Sequence, residues 1–131
     1  MRVVFDSNIF ISALVFPGRQ AEKAILRIID HRDQLVISRP IINEVLAVLA
    51  RKFGREREEL SRVAVLLAEI GEMVRPGPRL HVLNDEADNR VLECALGGVA
   101  SAIVTGDRAM LEVGRYQGIR FISLRSYLEV E

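Results

Sequence analysis

Short apolar runs alternate along the chain with longer stretches whose apolar residues recur at helical spacing. "RVVF" is bounded by charge, too short for a helix and rich in β-branched residues, which predicts a strand. "AEKAILRIIDH" places Ala24, Ile25, Ile28 and Ile29 on one helical face, and "QLVIS" predicts the next strand. "SRPIINEVLAVLARKFG" carries a helix start, Ser38 followed by Pro40, and a stop at Gly54. "EREELSRVAVLLAEIGE" predicts a further helix with Leu60, Val63, Leu67 and Ile70 in one stripe. "MVRPGPRLHVLND" holds two prolines and reads as a connector, with a short strand on either side of "RPGP". "DEADNRVLECALGG" predicts a helix ended by a glycine pair. It is followed by a strand in "SAIVTG", a short helix in "DRAMLEVGRY", a strand in "RFISL" and a final helical turn in "RSYLEV".

Strands alternating with helices predict an α/β fold, a mostly parallel sheet of about 4–5 strands flanked by helices on both faces (α/β/α). No repeat, low-complexity tract or boundary divides the sequence, so residues 1–131 are expected to form one domain. In such folds ligands bind beyond the carboxyl ends of the strands, at a topological switch point. Asp6, after "RVVF", and Asp107, after "SAIVTG", both occupy that place.

Composition narrows the classes. Half of the 131 residues are hydrophobic, which is ample for a core and unlike a disordered chain. A formal net charge of zero excludes a basic protein that coats nucleic acid. Lys23 and Lys52 are the only lysines, the remaining positive charge being arginine. The single cysteine, Cys94, excludes an internal disulfide framework and a cysteine zinc cluster. No apolar stretch approaches bilayer length and no cleavable signal pattern opens the sequence, so no membrane association and residence in the cytoplasm are expected.

The carboxylates carry the candidate chemistry, and each also has an ordinary explanation. Asp6 suits a turn with Ser7 and Asn8, and Asp107 suits the N-cap of the helix that follows it. Glu44 has Pro40, Ile41, Ala47 and Val48 as its helical neighbours, all apolar, so it either faces inward or snorkels to the surface. Asp85, Glu86 and Asp88 suit the first turn of a helix, where exposed N–H groups favour negative charge. Asp88 lies on the face that continues through Val91, Leu92 and Ala95, whereas Glu86 is about 160° away around the helix. Asp88 is therefore the expected inward member.

As a set these residues point further. Two like charges about 4 Å apart repel by roughly 4 kcal/mol at an effective dielectric near 20. Asp6, Glu44, Asp88 and Asp107 converging on one place would need a compensating cation. His31 and His81 fall in connectors, which leaves an all-oxygen donor set suited to Mg²⁺ or Mn²⁺ and not to zinc. The chemistry this favours is metal-assisted attack of water on a phosphodiester.

"VVFDSNIFISAL", "SRPIINEVLAVL", "DEADNRVLECALGG" and "AIVTGD" resemble, in order, the successive motifs of PIN-domain proteins. They are especially similar to the single-domain prokaryotic toxins of type II toxin–antitoxin systems, the VapC-like group. The resemblance spans nearly the whole chain. It implies an endoribonuclease that uses Mg²⁺ or Mn²⁺ to cleave single-stranded RNA, with Asp6, Glu44, Asp88 and Asp107 as the metal-binding catalytic acids. It further implies supporting roles for Asn8, which would hydrogen-bond a carboxylate or a metal-bound water, for Thr105 and for the auxiliary Asp85. A homodimer and an antitoxin partner are implied as well. The antitoxin would lay a C-terminal segment across the acidic groove. "RVAVLLAEIGEM" offers an apolar face for the core or for a dimer contact. The charges of Arg51, Lys52, Arg55 and Arg57 interleave with Glu56, Glu58 and Glu59, which reads as a solvated junction more than an RNA track. Low aromatic content argues against base stacking as a main source of affinity.

Two other classes compete. A receiver-type signalling domain would need a lysine after a late strand, and neither Lys23 nor Lys52 follows one. A catalytically silent PIN-like module would keep the acidic pocket as a docking or RNA-processing site.

Overall fold

The computed structural model describes residues 1–130. In chain order its elements are β1 (Arg2–Phe5), α1 (Ser7–Val15), α2 (Gln20–Ile29), β2 (Gln34–Ile37), α3 (Arg39–Phe53), α4 (Arg57–Ile70) and β3 (Gly71–Met73). These are followed by α5 (Glu86–Gly97), β4 (Ala102–Val104), α6 (Arg108–Val113), β5 (Arg115–Tyr116), β6 (Ile119–Ile122) and α7 (Leu124–Glu129). The strands form one sheet in the order β3-β2-β1-β4-β6-β5. All neighbouring pairs are parallel except β5 and β6.

Consecutive strand residues are buried, Val3–Val4–Phe5 in β1, Leu35–Val36–Ile37 in β2 and Ala102–Ile103–Val104 in β4. Strands buried on both pleat faces require helices on both faces of the sheet, and the expected α/β architecture is met. The sheet has six strands, more than the sequence pattern predicts, because β5 is a two-residue hairpin arm too short to leave a periodic signal.

Three further differences have local causes. α1 begins directly after Asp6, over residues that read as a turn; Ile9, Phe10 and Ile11 are all buried, so their consecutive run shows no amphipathic stripe. Only one strand, β3, flanks "RPGP", and residues 80–83 beyond it are irregular, held instead by side chains of α5. Ser38 stands at the N-cap of α3, yet its buried hydroxyl makes no cap hydrogen bond. The helix stop is as expected: Gly54 takes the left-handed conformation (φ 61°) that a Cβ would disfavour.

The sheet order fixes the switch point. From β1 the chain moves outward through β2 and β3, then returns to the other side of β1 with β4. β1 and β4 pair in register, Val4 with Ile103 and Phe5 with Val104, so residues 6 and 105–107 leave the sheet side by side. The N–H of Asp6 continues the ladder by donating to the carbonyl of Val104 at 2.9 Å.

Candidate acidic site

Asp6 follows the buried residues Val3–Phe5 of β1 and is itself only 4% exposed. A carboxylate so placed needs polar partners, and it has one in the fully buried Thr105, whose hydroxyl donates to Asp6 Oδ2 at 2.8 Å. The same hydroxyl oxygen accepts from the N–H of Asp107 at 3.0 Å, so a single side chain ties both strand ends together. Burial pushes the Asp6 carboxyl up from its ordinary range, and Asp107 adds to this. The Thr105 bond and the nearby N–H groups of Ser7 and Asn8 work against it, although neither amide closes a cap hydrogen bond.

Asp107 caps α6, its Oδ1 accepting from the N–H of Met110 at 3.0 Å. The structural role expected of this residue is thus real, and it leaves the second carboxylate oxygen without a protein partner. Asp85 caps α5 in the same way, accepting from the N–H of Ala87 at 2.8 Å. Asp88, in the first turn of α5, is half-buried and has no hydrogen-bond donor. Its carboxyl is pushed up to about 7, first by burial and then by the charges of Asp6, Asp85, Asp107 and Glu44. Asp88 therefore feels the charge of four other carboxylates, three of them, with Asp88 itself, inferred from the sequence as candidate ligands. Glu44 is half-buried on α3 and contributes the least of the charges acting on Asp88. Glu86 points away to an exposed position, where it pairs with Arg90 at 3.2 Å. Asn8 is exposed in the first turn of α1 and makes no hydrogen bond to a carboxylate.

Three of the acids, Asp85, Asp88 and Asp107, line an open hollow of about 260 Å³ together with Val82, Leu83, Asn84 and Ala109; Asp6 and Glu44 are not among its lining residues. Among the described residues, no three His, Cys, Asp or Glu side chains are drawn together as a closed ligand set. The donor chemistry fits a hard divalent ion, since Mg²⁺ takes only one or two carboxylates and completes its shell with water and substrate oxygens. Neither histidine nor the cysteine joins the group. His81 lies 3.7 Å from Glu86, and burial pushes the Cys94 thiol up to about 11, which leaves it unreactive.

Sequence reasoning missed two residues behind the site, Asn89 and Glu93, both buried polar groups on α5. The signal was present: Glu93 stands between Leu92 and Cys94 in an apolar run, the same pattern that singled out Glu44. Of the basic residues around the α3–α4 junction, Arg55 pairs with Glu59 at 3.1 Å and Arg51, Lys52 and Arg57 are exposed, in agreement with a solvated junction. A second surface is apolar. α1, α2 and α4 enclose a hollow of about 190 Å³ whose walls include Phe10, Leu14, Ile25, Leu66 and Ile70. Leu26, Ile29 and Val65 lie exposed on the same helices. No helix among the described residues is long and apolar enough to cross a membrane.

Comparison with known proteins gives three findings. The sequence model described as "PIN domain" matches residues 2–109. An uncharacterized protein of Methanocaldococcus jannaschii, MJ1680, is 26% identical, over 95% of this chain and 84% of its own length. Among solved structures, a chain of VapBC2 from Rickettsia felis, bound to a DNA fragment from its promoter, superimposes with a TM-score of 0.65 at 13% identity, covering 94% of this chain and 98% of its own. A chain of VapBC-1 from nontypeable Haemophilus influenzae gives 0.64 at 19% identity, covering 95% and 99%.

Proposed function

The chain belongs to the PIN domain family, and from that premise we propose that it is a Mg²⁺- or Mn²⁺-dependent endoribonuclease acting on single-stranded RNA, the VapC-like toxin of a toxin–antitoxin pair. One observation carries the reading: at the carboxyl edge of the sheet, the charges of Asp6, Asp85, Asp107 and Glu44 all act to raise the Asp88 carboxyl. A divalent cation is the charge that such a field lacks.

Asp6, Asp88 and Asp107 would hold the metal, with Glu44 at its edge and Asp85 as an auxiliary acid. When bound, the ion would supply a nucleophilic water at neutral pH and neutralise charge on the phosphate. The protein's own contributions are positional. Thr105 fixes the Asp6 carboxylate by its hydrogen bond to Oδ2. The Asp107 cap holds one carboxylate oxygen and leaves the other for the ion. Asp88, without a hydrogen bond, is free to turn toward whatever cation arrives. Asn8, exposed at the start of α1, would hydrogen-bond a metal-bound water.

An antitoxin and a second copy of the chain are the proposed protein partners, and the apolar hollow between α1, α2 and α4 supports a protein contact there. That both structural relatives are VapBC assemblies accords with this. Cleavage of a labelled single-stranded RNA with and without Mn²⁺, comparing the protein with Asp6→Asn, tests the reading. Metal-dependent cuts that vanish in the variant are expected. Metal binding without cutting by either protein would instead favour a silent module that uses the pocket for docking.

A further inference from the structure

Residues 74–85, between β3 and α5, have no regular secondary structure, so their backbone groups need partners from elsewhere. α5 supplies them. The N–H of Gly77 donates to the carbonyl of Glu93 at 2.8 Å, and the N–H of Leu80 to Glu93 Oε2 at 2.7 Å. One turn earlier, Asn89 Oδ1 accepts from the N–H groups of both Val82 (3.1 Å) and Leu83 (2.8 Å), and Asn89 Nδ2 donates to the carbonyl of Leu83 at 2.8 Å. Asn89 is 0% exposed and Glu93 2%, so both clamps work where an unmade bond is costly.

The two clamps are alike in construction and differ in what they hold. Glu93 holds Leu80, which is not part of the acidic hollow. Asn89 holds Val82 and Leu83, which with Asn84 and Asp85 form the wall facing Asp88 and Asp107. Helix geometry sets Asn89 about 100° around α5 from Asp88, so adjacent residues serve the rim and the acidic cluster separately. The rim presents an exposed Val82 and the amide of Asn84, an apolar surface beside a hydrogen-bonding group, which is the chemistry that an unstacked nucleobase takes.

We propose that Asn89 is a positioning residue: by clamping Val82 and Leu83 it holds the rim against which single-stranded RNA lies while the acids take the phosphate. This rests on the ribonuclease reading given above. The test compares Asn89→Ala with Glu93→Ala, adding Asn89→Ser and Glu93→Gln as milder variants should either alanine variant fold poorly. Cleavage in Mn²⁺ gives KM and kcat. Fluorescence anisotropy with a single-stranded oligoribonucleotide, Ca²⁺ replacing Mn²⁺, gives Kd without turnover. The Asn89 variants should raise KM and Kd roughly ten-fold, with kcat within about two-fold. The Glu93 variants should lower Tm but leave KM and Kd within about two-fold. An unchanged KM and Kd in a folded Asn89 variant, or an equal rise in the Glu93 variants, would overturn the assignment. Wild-type protein that binds RNA without cutting would sink the nuclease reading and leave the Kd comparison decisive. Wild-type protein that does neither would sink both.

Discussion

The acids carried by strand ends differ from those carried by helices. Asp6 and Asp107 follow adjacent parallel strands and are fastened, one by the Thr105 hydroxyl and the other by the N–H of Met110. Asp88 and Glu44 sit on α5 and α3 with no side-chain hydrogen bond among the described residues, and the charges that act on Asp88 most strongly are negative. The first pair is rigid because the sheet ladder and a buried hydroxyl fix it. The second pair lacks such fastening among the described residues. Within one site the fold thus keeps fixed ligands and adjustable ones, which suits an ion that must accept water and phosphate oxygens in its shell.

The largest effect is expected from removing a fixed acid. Asp6→Asn keeps an oxygen for Thr105 and removes a buried charge, so Tm should hold or rise while the cleavage rate falls by on the order of 10³-fold or more. A fall in Tm parallel to the loss of activity would show that Asp6 is structural. Next, Thr105→Val conserves shape but leaves Asp6 Oδ2 and the Asp107 N–H without their partner. It should weaken Mn²⁺ binding by roughly 10–100-fold and cost about 1–3 kcal/mol of stability, read by metal titration and by denaturant unfolding. Wild-type metal affinity in that variant would mean that the strand-end pair needs no fastening.

The adjustable pair is probed by pH. The Asp88 carboxyl lies at about 7 in the folded metal-free protein, against an ordinary value of 3.8. Its folded form therefore binds more protons than its unfolded form between these values, and the stabilising contribution is complete below the lower one. That contribution is lost as pH rises through 7. Metal-free protein should accordingly gain Tm on acidification from pH 8 to 5.5, whereas Mn²⁺, which competes with the proton, should raise Tm more at pH 8 than at pH 5.5. Scanning calorimetry in the two conditions checks both signs; opposite slopes would mean that the cluster does not strain Asp88. The smallest effect is expected from Glu44→Gln, which removes the weakest of the charges acting on Asp88. Its titration, followed by side-chain NMR, should move down by less than in Asp6→Asn, and an equal or greater shift would make Glu44 a central member of the cluster.

These contrasts explain what the sequence could reveal. Asp6 and Asp107 were legible because a charged residue ending a short apolar run is a local signal, and the alternation of elements is enough to place two such ends at the carboxyl edge of a parallel sheet. Asp88 was legible from helical phase, since Glu86, two residues earlier, does point away. The bond between Thr105 and Asp6 joins residues 99 apart, and only the family resemblance directed attention to that hydroxyl. α1 was hidden because it is buried around most of its circumference and shows no stripe. The clamps on residues 74–85 were hidden for a different reason. An asparagine in a helix's first turns reads as polar surface, and nothing local records that a loop folds back over it.

The central place of β1 has a consequence for the timing of assembly. The first strand made pairs on one side with β2 and on the other with β4, whose residues arrive about a hundred positions later. Contacts of such sequence separation close late, because the entropy of the intervening loop must be overcome first. Formation of the acidic site therefore depends on this long-range closure, because Asp6 gains its hydroxyl partner only when Thr105, 99 residues away, packs beside it.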